Sequence, residues 1–119
     1  MSEVKEVKKV EIDVEAIAKQ LSLKYNCKIN PIIFQETEES ERIIGYIKEP
    51  TRMVKARTLD TAANGAITAA LNLFEATLLK EESDPRFSSD KSEHDDIVLG
   101  GALVAMSTIQ IRTNAFIKK

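Results

Sequence analysis

The residues best suited to chemistry crowd into one stretch of this chain. Glu81, Glu82, Asp84, Asp90, Glu93, Asp95 and Asp96 surround His94, the only histidine. Oxygen-rich clusters of this kind bind hard divalent cations when their carboxylates converge. The spacing here lacks the alternating acids and the central glycine of a calcium-binding helix-loop-helix. A solvated loop, with acids favouring the positive end of a following helix, explains the run without a ligand. No metal or other cofactor is expected.

Two further groups invite a catalytic reading. His94 would act as a general base only with a nucleophile and an orienting group in reach, and its neighbours in sequence specify neither. Cys27 would act as a nucleophile only beside a histidine; at the join of a helix and a strand it reads as buried filler. A third group, Lys48, Arg52, Lys55 and Arg57, gathers positive charge at the start of a helix, where anions bind. No aromatic stacking residues lie among these, which argues against a grip on single-stranded nucleic acid. The chain is therefore expected to be no enzyme.

The whole-chain figures agree with that expectation. Seventeen basic and 19 acidic residues leave a net charge of -2 over 119 residues, which gives no general attraction to nucleic acid or to anionic membranes. The first residues, Met1-Ser2-Glu3-Val4-Lys5, mix charges and do not resemble a signal peptide. No apolar run approaches the roughly 20 residues that span a bilayer. One cysteine suits a reducing compartment. Aromatic residues make up only 5% of the chain, with no Trp, so the core must be aliphatic and alanine-rich. Such a core is thin and favours completion by another copy or another protein.

The positioning elements follow from periodicity. The organising stretch is Glu49–Lys80, where Leu59, Ala63, Ala66, Ile67, Ala70, Leu71, Phe74 and Leu78 recur at helical spacing. Pro50 suits a first helical turn, and Asn64-Gly65 should break the run into two helices near 50–63 and 65–81. Upstream, residues 1–10 read as a flexible arm. A helix over 13–26 is capped by Asp13, faced by Val14, Ile17, Ala18, Leu21 and Tyr25, and stopped by Asn26. Residues 28–48 read as a β-hairpin, with Pro31 restricting the first strand to an edge or to a start beyond it. Downstream, 82–94 is a loop whose Phe87 should fold back as an anchor. A last helix is expected over 95–117, capped from Ser92, with Gly100-Gly101 allowing a close crossing. The fold class is α+β: one domain, with a β-hairpin packed on a bundle of three to four helices.

The segments Gly45-Tyr46-Ile47-Lys48-Glu49-Pro50-Thr51-Arg52 and Glu81-Glu82-Ser83-Asp84-Pro85-Arg86 resemble small proteins of tailed bacteriophages. Over residues 32–117 the chain also resembles the tail assembly chaperones, with a short hairpin followed by helices. The resemblance implies a role in virion morphogenesis, with another phage structural protein or a second copy as partner. It implies action in the host cytoplasm during assembly, or residence in the particle. Glu49, Arg52, Glu82, Asp84 and Arg86, with Pro50, are the positions that match it.

The expected function is thus protein–protein interaction in phage assembly, as a tail assembly chaperone-like protein. The alternative is a structural virion component, capsid-bound or at a connector. Ile32, Phe34, Ile44 and Tyr46 are expected to form the hairpin's contact face. Its open edge would accept an extended segment of the partner by strand addition.

Overall fold

The computed structural model describes the chain from Ser2 to Ile109, with side chains from Asp13 onward. Four helices and one hairpin follow in the order α1 (Ser2–Tyr25), β1 (Ile29–Phe34), β2 (Ile43–Lys48), α2 (Arg52–Ala62), α3 (Ala66–Thr77) and α4 (Asp95–Ser107). Short 3-10 turns at Pro85–Ser88 and Ser92–His94 punctuate the connection before α4. This is the α+β arrangement of a β-hairpin among helices.

The hairpin lies between two helical layers. Its strands pair antiparallel with Ile29 opposite Lys48 and Phe34 opposite Ile43, so alternate residues face opposite sides. On one side Ile32, Ile43 and Ile47 join Ala70, Leu73 and Phe74 of α3, Ile97, Ala102 and Ala105 of α4, and Phe87. On the other, Ile29 and Tyr46 join Val14, Ala18 and Leu21 of α1, together with Leu79. An isolated hairpin is marginal in water; burying both faces supplies what two strands lack.

Several helix ends depart from expectation, each for a local reason. Helix α1 begins at Ser2, so residues 2–10 of the expected arm lie within the helix, residue 1 lies outside the described residues, and Asp13 caps nothing. Its buried stripe is Val14, Ala18 and Leu21, while Ile17 and Tyr25 stay exposed at 41% and 37%. Asn26 does stop it, with φ 53°. The Cys27 N–H then reaches back to the Ser22 carbonyl at 3.2 Å, the bond that closes a left-handed helix end. Thr51, not Pro50, introduces α2: its Oγ1 accepts from the Val54 N–H at 3.3 Å. Pro50 sits outside the helix and is buried.

Asn64-Gly65 separates α2 from α3 as expected, with Gly65 at the head of α3. The buried stripe of α3 is Ala69, Ala70, Leu73, Phe74 and Thr77. Ile67 and Leu59, expected on the inner face, are instead exposed at 53% and 45%. Ser92 does not cap α4; His94 stands at the cap position and makes no side-chain capping bond. Helix α4 ends at Ser107, where the Thr108 N–H and Oγ1 both turn back to the Ala105 carbonyl. It is therefore shorter than the expected helix over 95–117, and residues 110–117 of that expectation lie outside the described residues. Among the described residues no helix is long and apolar enough to cross a membrane.

Candidate protein interface

The four hairpin residues expected to share a contact face do not share one. Ile32 and Phe34 point toward α3 and α4, whereas Ile44 and Tyr46 point toward α1. Ile32 and Tyr46 are core residues, 7% and 4% exposed. Burial also pushes the Tyr46 phenol above its usual range, since the charged form loses solvent. Phe34 and Ile44 are half-buried at the rims of the two clusters. The sequence pattern marked these positions as apolar on a strand, which is equally the mark of a sheet buried on both faces.

The two strand edges are unlike. In the register above, Ile44 and Tyr46 turn their backbone groups outward from β2. The segment after α3 closes that edge: the Leu79 N–H donates to the Tyr46 carbonyl at 2.9 Å and the Asp84 N–H to the Ile44 carbonyl at 2.9 Å. The Tyr46 N–H donates to Ser83 Oγ at 2.9 Å. The bond from Tyr46 to Ser83 thus joins the segment 45–52 directly to the segment 81–86.

The charged positions divide into local ties. Asp84 and Arg86 form a two-pronged pair, Nε to Oδ1 at 2.9 Å and Nη2 to Oδ2 at 2.8 Å. Arg86 Nη1 also donates to Glu41 Oε1 at 2.7 Å, which fastens the 3-10 turn to the hairpin connection. The Arg86 guanidinium holds the Asp84 carboxyl below the usual carboxylate range. Glu82 accepts from Lys24 Nζ at 3.0 Å and from the Tyr25 hydroxyl at 3.4 Å, tying the end of α1 to the same segment. That bond from Lys24 to Glu82 raises the ammonium's pKa. Glu49 faces Lys55 at 3.9 Å, and Arg52 is exposed at the head of α2. Glu49 and Arg52 therefore stand apart from Glu82, Asp84 and Arg86.

A groove of about 400 Å³ runs beside this tie, lined by Phe34, Glu36, Ser40, Glu41, Ile43, Arg86, His94 and Ile97. His94 Nδ1 lies 2.7 Å from Ser89 Oγ, and that oxygen also accepts from the Lys91 N–H at 3.1 Å. The contact closes a local turn ahead of α4. Glu82 and Asp84 are taken up in separate ties, and among the described residues no three His, Cys, Asp or Glu side chains are grouped to hold a metal ion.

The apolar surface that sequence reasoning missed is on α4. Its inner stripe, Ile97, Gly101, Ala102 and Ala105, is buried. Its outer stripe carries Leu99, Leu103 and Val104, exposed at 40%, 53% and 47%. Gly100 sits among them, and a Cβ there would meet nothing within 4 Å. The signal was legible in part, because the helix is apolar around more than half its circumference; which side was free was not. The chain matches no protein-family model, no curated protein and no solved structure.

Proposed function

We propose that the chain is a non-enzymatic protein-interaction module in bacteriophage assembly, working as a tail assembly chaperone does, by covering apolar surface of another structural protein before it is incorporated. The observation that carries this reading is the outer stripe of α4. Leu99, Leu103 and Val104 stay about half exposed on a helix whose other side is fully packed. Gly100 lowers helix stability by about 0.5–1 kcal/mol relative to alanine, and nothing among the described residues fills the space it leaves. A second helix crossing at Gly100 would use that space, with the three aliphatic side chains closing around it. The phage setting is supported by the two sequence segments that carry the resemblance.

Mass spectrometry of infected-cell lysate and of purified particles tests the reading. A chaperone is found with a tail structural protein in lysate and is missing from particles. Stoichiometric presence in particles would replace it with a structural virion role, and no phage partner in either fraction would end it.

A further inference from the structure

The turn between α2 and α3 holds the only Asn-Gly pair in the sequence, Asn64-Gly65. Asn64 is exposed there. Such a pair can react with itself, because the backbone nitrogen of the glycine lies within a five-membered ring's reach of the asparagine Cγ. A side chain on the second residue would crowd that approach, and glycine has none. The other described asparagines are worse placed. Asn30 precedes Pro31, which has no N–H to give up. Asn26 and Asn72 precede Cys27 and the buried Leu73, each with a side chain in the way.

The fold does not require glycine at position 65. Its φ of -178° is extended backbone, which any residue adopts. A Cβ there would meet Thr68 Oγ1 at 3.6 Å, an ordinary contact. Gly65 also stands at the cap of α3 without a side-chain capping bond, where serine or aspartate would serve better. What the fold does is hold the attacking nitrogen. The Gly65 N–H donates to the Thr61 carbonyl at 3.0 Å, and the Asn64 N–H donates to the same oxygen at 3.0 Å. The first bond must open before the ring can form, because the ring nitrogen carries no hydrogen. It closes the frayed end of a helix, the kind of bond that opens locally without global unfolding.

We propose that Asn64 is a site of spontaneous deamidation, gated by the bond from the Gly65 N–H to the Thr61 carbonyl. The Gly65 nitrogen loses its proton to solvent hydroxide and bonds to Asn64 Cγ. The Cγ–Nδ2 bond breaks and ammonia leaves with a proton from water. Solvent water then opens the imide at either carbonyl, so the sum is asparagine plus water giving ammonia and either aspartate or isoaspartate. No cofactor or enzyme is needed. Aspartate adds one negative charge just ahead of α3, whose first turn holds no acid, the end where negative charge is favoured. Isoaspartate routes the main chain through the side-chain carbon and lengthens the link between α2 and α3 by one atom. Thr61 also lines a groove of about 350 Å³ between these helices, so either product changes one wall of it. This inference concerns the α2–α3 turn alone and stands whether or not α4 binds a partner.

Mass spectrometry of the purified full chain, aged in mildly alkaline buffer, tests it. Peptide mapping should confine the mass gain to the peptide holding Asn64, and an isoaspartate methyltransferase should label part of the product. The native chain should react about tenfold or more slowly than the same chain in guanidinium chloride, the lag set by local opening. Gly65→Ala should keep the parent's fold by circular dichroism and react at least about tenfold more slowly. Asn64→Gln, which would need a six-membered ring, should not react on this timescale. A native chain that never reacts, native and unfolded chains that react equally fast, Gly65→Ala as fast as the parent, or a mass gain with no isoaspartate would each overturn the proposal.

Discussion

Gly101 exists where it does because of Phe74: a Cβ at position 101 would lie 2.6 Å from Phe74 Cζ. The same relation recurs across the core, where a Cβ at Gly45 would lie 2.9 Å from the ring of Phe87. The two rings meet edge to face, with centroids 6.1 Å apart at 75°. Two glycines thus seat two phenylalanines, one on the hairpin and one on α4. This row joins four separate segments of the chain in a core with few aromatic residues.

The neighbouring glycines of α4 should therefore respond oppositely to alanine. Gly101→Ala forces the Phe74 ring, only 3% exposed, against Phe87. Overpacking of this sort costs about 1–3 kcal/mol, which outweighs the roughly 1 kcal/mol gained in helix propensity. Gly100→Ala meets nothing among the described residues and should stabilise the isolated protein by about 0.5–1 kcal/mol. Urea denaturation of both variants checks the pair, with the midpoint falling for the first and rising for the second.

Phe87 should be the most costly single truncation in the connection before α4. It is 3% exposed and holds that connection against Gly45 and Phe74. Phe87→Ala is expected to cost about 3–5 kcal/mol. It should also loosen the segment that closes the β2 edge, so the Asp84 amide should lose exchange protection more than the amides of α1.

The anchor at Phe87 was legible in the sequence because a lone aromatic in a polar run has few other uses. The break at Asn64-Gly65 and the stop at Asn26 were legible from backbone preference alone. The hairpin was legible from its β-branched residues, but its burial on both faces was not. That depends on α1 returning to cover Ile29 and Tyr46, a long-range fact that strand alternation does not encode. The inner face of α3 was misjudged for a related reason. Ala69 and Leu73 are as apolar as Ile67, and only the placement of α4 and the hairpin selects among them. The outer stripe of α4 shares its residue types with a core helix, so residue type alone did not show which side is free.

Acid should weaken the tie between Asp84 and Arg86 in a defined window. The folded pKa of Asp84 lies below its ordinary value of 3.8 because Arg86 bonds the carboxylate. Its contribution is then fully present above the ordinary value and is lost as pH falls from there through the folded value. Asp84→Asn should be less stable than the parent at pH 7, and the difference should shrink as pH falls below 3.8. Urea midpoints measured from pH 7 to pH 2 test this; a difference that stays constant would assign the effect of the substitution to packing.

The most direct test of the account is capture of structural proteins by the outer face of α4. Leu103→Asp changes a side chain that is 53% exposed, so the fold should lose no more than about 0.5 kcal/mol. Tagged wild-type chain and the variant, each purified from cells expressing the phage structural proteins, are compared by the amount of tail protein retained. The wild type should hold a defined tail protein, and the variant should bind it at least about tenfold more weakly, a loss of about 1.4 kcal/mol. Equal retention by a variant of unchanged stability would contradict the claim that α4 is the binding face.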